Sequence, residues 1–157
     1  MKRQPKDAKK RSRTIQVWTY AQAQSALPYL TSVVRSLREH ALQAIADRRR
    51  LQLLNQTAGR PNRATLIDIQ EAERQARLAE DRFEEDVSEL QDLDVFSLDP
   101  TMGTALIPFV HNDELAWYIF DLFDSRPLSF WRFQADPEET RRPITSMQKG
   151  TAQTFTA

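Results

Sequence analysis

The stretch Leu93–Leu122, LDVFSLDPTMGTALIPFVHNDELAWYIFDL, is where the chain changes its rule. Before it, apolar residues recur every three or four positions. Within it they come as short runs rich in Val, Ile, Phe and Trp, parted by turn signals. The first period belongs to a helix face and the second to strands. DPTMG (99–103) carries Pro and Gly, and HND (111–113) is a polar hairpin tip. Strands are expected at DVFSL (94–98), TALIPFV (104–110), LAWYIFDL (115–122) and, after FDSRP, at LSFWRF (128–133). Short connections among four strands predict an antiparallel meander over about 94–133. In the last run Leu128, Phe130 and Arg132 alternate with Ser129, Trp131 and Phe133, which assigns them to opposite faces.

Upstream the pattern is helical. Thr19 and Gln22 have capping-box spacing. The helix they open carries Leu27, Leu30, Val34, Leu37, Ala41, Ala44 and Leu51 at alternating intervals of three and four, with Arg48 filling one slot. Pro28 falls within this pattern, either in the first turns or at a bend. The helix is expected to reach about Gln56, where TAGRPNR (57–63) breaks it. A second helix is expected over Thr65–Leu93, with Thr65 and Asp68 repeating the cap spacing. Its stripe is Ile69, Ala72, Ala76, Ala79, Phe83, Val87 and Leu90, and the alanines admit a close partner helix. The fold class is α+β: a long antiparallel helical hairpin over about 19–93, then a small four-stranded antiparallel β-meander, in one domain spanning 14–145.

Composition removes several functions. The chain has 157 residues, enough for one domain. Three glycines and no GxxxxGK[ST] or GxGxxG argue against a nucleotide fold. Absent cysteine removes disulfides, thiolate nucleophiles and Cys-based metal sites. No apolar run reaches the ~18 residues of a membrane span. A cytoplasmic location is expected. Met1–Arg13 holds seven Lys/Arg and one Asp and should be a disordered basic tail; 146–157 should be a flexible C-terminal tail. The basic tail is either a solubility arm or a phosphate contact for nucleic acid, without aromatics for base stacking. Charge divides between the helices as well. Arg35–Arg63 holds seven Arg against Glu39 and Asp47, net +5, whereas Glu71–Asp94 holds ten acids against three Arg, net −7.

Two candidate sites stand out. SFWRFQADPEETRRPI (129–144) and the strand before it place Trp117, Trp131, Arg132, Arg141 and Arg142 near Asp121, Asp124 and Asp136. Arginine forks suit carboxylate or phosphate and stack on aromatics, so this group reads as an anion pocket or as ties that pin the C-terminal segment. The second site is the far end of the hairpin. A small sheet covers only one end of helices ~45 Å long. That leaves Leu51, Leu53, Leu54, Leu66 and Ile67 as a partner surface or as closure of the tip itself. Chemistry finds little support. His111 and Asp113 lack a third metal ligand of usual spacing, and His40, the other histidine, lies among charged residues. Asp121 and Asp124 are paired carboxylates near a turn, and Ser125 and Ser129 lack a nucleophile elbow. No metal or cofactor is expected.

The motif order resembles a known family. A T-x-x-x-A…LPYL stretch opens the hairpin, and Asp99-Pro100-Thr101-Met102-Gly103 begins a DP-x-x-G-x-x-x-x-P run ending at Pro108. A strand with Trp117, a second Trp strand and Arg141-Arg142-Pro143-Ile144 follow. Over about Val17 to Ile144 this is similar to the uncharacterised bacterial family designated domain of unknown function 2203. The resemblance implies the fold arrangement and no activity. The family pattern has a Cys-Trp pair, a Gly-Glu turn and a Trp-His pair; here stand Ala116-Trp117, Asp124-Ser125 and Trp131-Arg132. Chemistry by that histidine is therefore not open to this chain. The function expected is a non-catalytic protein-interaction or assembly module using the hairpin, self-association included. The alternative is an anionic-ligand-binding protein or enzyme on the Trp/Arg face of the sheet.

Overall fold

Thr19 opens the helical half as its spacing predicts. Its hydroxyl accepts from the Gln22 backbone N–H at 3.1 Å, and the Gln22 side chain accepts from the Thr19 N–H at 2.9 Å. The computed structural model describes residues 14–56 and 59–146. The expectations for residues 1–13 and 147–157 lie outside them. The single first helix expected from sequence is two: α1, Tyr20–Ser25, and α2, Leu27–Asn55. Proline cannot sit inside a helix without losing a hydrogen bond and clashing with the preceding turn. Pro28 therefore takes the first turn of α2, and the chain resets at Ala26. The second long helix, α3, runs Arg63–Asp92 and starts before the expected Thr65. Its cap is Asn62, whose Oδ1 accepts from the Thr65 N–H at 2.8 Å and the Thr65 hydroxyl at 2.9 Å.

Helices α2 and α3 form the antiparallel hairpin. Tyr29 reaches Glu89, Ser36 reaches Asp86 and Arg48 reaches Glu80, so numbers rise along one helix as they fall along the other. The hydrogen bond to Glu89, with burial second, pushes the Tyr29 phenol up to about 12. Buried positions are Leu30, Val33, Val34, Leu37 and Ala41 on α2, and Ala72, Ala76, Ala79, Asp86 and Leu90 on α3.

The sheet has four antiparallel strands in the order β1-β2-β3-β4: Thr104–His111, Glu114–Asp121, Leu128–Phe133 and Arg142–Pro143. The strand number is as expected, but the membership differs at both ends. At 94–98, Asp94 leaves the helix with φ 55° and only Phe96 pairs, exchanging backbone bonds of 3.0 and 2.7 Å with Leu106. Asp99 then caps a 3₁₀ turn over Pro100–Met102, which ends the pairing. At the other edge, Arg142 and Pro143 pair with Trp131 and Phe130. The HND tip has Asn112 and Asp113 at φ 51° and 62°, the signs a two-residue primed hairpin turn needs.

Register fixes the faces. Ala105, Ile107, Phe109, Ala116, Tyr118, Phe120 and Trp131 face the core with Leu30, Val33, Val34, Leu37 and Leu90. Ile119 pairs with Phe130 but Phe120 pairs with Leu128, so Ser129 is an extra residue in β3. This bulge moves Leu128 to the Trp131 side, against the simple alternation expected.

Gly103 closes the 3₁₀ turn at φ 68°, and a Cβ there would lie 3.0 Å from the Phe123 ring and 3.2 Å from Leu122 Cβ. Gly103→Ala is expected to cost at least ~1–2 kcal/mol from backbone strain alone. Thermal unfolding checks this, and a variant as stable as the parent would show that the turn relaxes freely.

Candidate functional site

The sheet ends where α2 is only half spent. Arg38 marks that limit: its Nε donates to the Thr101 carbonyl at 2.9 Å, and its guanidinium lies 4.9 Å from the Phe123 ring centre. Beyond it, the surface of the hairpin that faced the sheet continues without a covering element among the described residues. It forms an open groove of about 800 Å³. Ala41, Ala44, Ile45 and Phe83 give it an apolar floor, and Asp99, Pro100 and Thr101 close one end. Small residues deepen it, because an alanine leaves the space a leucine would fill. Ile45 is 57% exposed there.

Two arginines, Arg48 and Arg49, and two acids, Glu80 and Asp99, line the groove. Arg48 crosses the hairpin to Glu80 with both arms of its fork, one at 2.8 Å, which lowers the Glu80 carboxyl and raises the Arg48 guanidinium. Arg49 makes no hydrogen bond or salt bridge among the described residues. From Arg48 to Ile67 the sequence holds five arginines and no acid. The tip leucines differ in exposure. Leu53, Leu66 and Ile67 are 61%, 48% and 55% exposed, while Leu51 and Leu54 are half-buried.

A polar node in the opposite seam was not foreseen. Asp86 is buried, and its Oδ2 accepts from His40 Nδ1 at 2.5 Å and from the Ser36 hydroxyl at 3.0 Å. His40 is thus an interhelical tie with a partly exposed ring. The spacing Ser36-x-x-x-His40 was visible, but its partner lies 46 residues away. The three residue types are those of a hydrolase triad; the geometry is not. Serine and carboxylate converge on the same ring nitrogen, so the hydroxyl proton goes to Asp86 and Nε2 has no role in it.

The Trp/Arg group is divided by the sheet. Trp117 pairs with Arg132 on the face turned from the helices, whereas Trp131 pairs with Arg142 on the core face. Arg132 is 7% exposed, so that face is not open at this point. Its Nη1 donates to the Phe133 carbonyl at 3.3 Å, and Trp117 Nε1 donates to Gln134. Arg142 forks onto Asp136 with two bonds of 2.9 Å and lies 5.5 and 5.1 Å from the Trp131 and Phe133 rings. Arg141 donates to the Glu138 and Thr140 carbonyls. Asp121 and Asp124 accept backbone N–H bonds from Phe123 and Arg126, which is turn chemistry. His111 stacks edge-on at 4.8 Å from Trp131. Among the described residues no group of three His, Asp or Glu is arranged to hold a metal ion.

Two consequences can be measured. Asp86→Ala strips His40 and Ser36 of their acceptor and should lower stability by ~1–3 kcal/mol in chemical denaturation; a neutral result would mean that water serves both groups equally well. Arg142 first, and the Phe133 N–H second, hold the Asp136 carboxyl below its usual value. A depressed carboxyl stabilises the fold above the ordinary carboxylate range, and that contribution is lost as pH falls through the depressed value. Carboxyl NMR titration should show Asp136 moving back towards the usual range in Arg142→Ala.

The 99–103 motif now has a physical role. Asp99 Oδ1 accepts from the Thr101 N–H and hydroxyl at 3.0 and 2.7 Å, Gly103 supplies the left-handed exit, and the turn docks on Arg38. No helix of the described residues is long and apolar enough to cross a membrane. No curated protein and no solved structure matches the chain. A family pattern does match, over residues 16–144, and most of the chain is thereby covered. The chain belongs to the family of uncharacterized conserved proteins DUF2203.

Proposed function

We propose that the protein is a non-catalytic interaction module whose helical hairpin receives an amphipathic helix of a protein partner. The observation that carries this reading is the groove beyond the sheet, with its apolar floor of Ala41, Ala44, Ile45 and Phe83 under the Arg49 rim. A helix laid in a groove needs an apolar strip of matching width and flanking charge for register. Arg49, which has no ion-pair partner among the described residues, asks for a carboxylate on the incoming helix. Self-contained chemistry has less support, since Ser36, His40 and Asp86 satisfy one another. The anionic-ligand reading of the sheet also has less, since Trp117 and Arg132 lie across the sheet from Trp131 and Arg142. The proposed compartment is the cytoplasm, on composition.

Ile45 and Arg49 are exposed, so Ile45→Glu and Arg49→Glu test the groove without emptying the core. A protein captured by the parent chain is rebuilt in pure form and its acidic helix titrated as a peptide. Each substitution is expected to weaken binding at least ~tenfold, about 1.4 kcal/mol, with the circular dichroism unchanged. Equal binding by parent and variants would reject the groove.

A further inference from the structure

The outer face of α3, turned from α2 and from the sheet, carries its charge in two blocks. Its first half presents Arg63, Arg74 and Arg77 with Leu66, Ile67 and Gln70; its second presents Asp81, Glu84, Glu85, Ser88 and Asp92. All are exposed and recur at intervals of three and four, so they lie on one stripe opposite the buried Ala72, Ala76 and Ala79. Glu71 and Glu73 fall to either side of the first block and Arg82 to one side of the second. Arg63 and Arg77 make no hydrogen bond or salt bridge among the described residues; Arg74 is shared with its neighbour Glu71 at 2.8 Å.

This order runs against the helix itself. A helix favours acids in its first turn and bases in its last, each worth about 0.3–1 kcal/mol. The first turn of α3 has no acid and begins with Arg63; the last turn has no base and ends with Asp92. The blocks therefore oppose the macrodipole of an isolated α3. They complement a second α3 laid antiparallel.

We infer that two copies of this chain associate through the outer faces of α3, antiparallel about a two-fold axis near Leu78. The midpoint between Arg63 and Asp92 falls at residues 77–78, and Leu78 is 37% exposed there. In that register Arg74 faces Asp81 and Arg63 faces Asp92 of the second copy, and the symmetry repeats each pair. Dipoles oppose favourably, and the two charge blocks meet blocks of opposite sign; only Arg77, beside the axis, meets its own copy. Exposed pairs are individually weak, so the dimer is dissociated by salt. This interface lies away from the groove and does not depend on its being filled.

The test is sedimentation equilibrium of the full chain at about 50 mM and about 500 mM salt, where screening differs several-fold. The parent is expected near twice 18.2 kDa at low salt and to shift towards monomer at high salt. Asp81→Arg, Glu84→Arg, Glu85→Arg and Asp92→Arg together make the stripe basic throughout; Arg63→Glu, Arg74→Glu and Arg77→Glu together make it acidic throughout. Each variant alone should dimerise at least ~tenfold more weakly, and the two mixed should form a heterodimer. Ile45→Glu should leave the dimer intact. A monomer at both salt concentrations overturns the inference. So does a dimer indifferent to salt and to both reversals, or one abolished by Ile45→Glu, which would place the contact in the groove.

Discussion

Everything in this fold rests on how closely α2 and α3 approach. Where the sheet lies against them, the contact is made by Leu30, Val34, Leu37 and Leu90, with Phe83 and Val87 packed alongside. Farther out, the buried positions become Ala41, Ala72, Ala76 and Ala79. Large side chains hold the helices around a shared core with the sheet; alanines let them close on each other and leave nothing to project. One hairpin therefore has a thick end that needs a sheet and a thin end that does not. The groove is the geometric result of that change in side-chain size.

The same gradient explains why charge collects where it does. The thin end has little interior in which to bury hydrocarbon, so its surface is mostly solvated. Arginine suits that place because its stem covers apolar surface while its fork stays in water. Arg48 does this across the seam to Glu80, and the polar node of Ser36, His40 and Asp86 fastens the other seam where thick gives way to thin. The hairpin is held by packing along its length, with these polar ties added at its seams.

Much of this could be read in the chain. The stripes through Leu30, Val34, Leu37 and through Ala72, Ala76, Ala79 are periodic and local, so the hairpin was legible, as were the Thr19 cap and the strands on either side of Asn112-Asp113. What was not legible depends on distant residues. Arg142-Pro143 becomes a strand because Asp136 holds Arg142 in place, and nothing in two residues announces that. The Ser129 bulge follows from fitting Leu128 into the core, a tertiary demand. Asn62 and Thr65 were both visible cap formers, and the spacing rule chose the wrong one. His40 lies among charged neighbours in sequence, whereas its partner is Asp86 on the other helix. Trp117 and Trp131 are alike in sequence and were grouped together; pairing register sends them to opposite faces.

The edges of the sheet have a consequence for how this protein meets others. An open edge strand offers unpaired N–H and C=O groups to any extended chain that passes. Here the free side of β1 is occupied by Phe96 and by the Trp18 N–H, which donates to the Pro108 carbonyl at 2.8 Å. The opposite edge is β4, two residues long, and one of them is Pro143. Each edge strand thus contains a proline, which has no N–H to give. Among the described residues, strand addition therefore meets a partly occupied edge at β1 and only a two-residue edge at β4. What these edges leave for contact is side-chain surface, where shape and charge can discriminate.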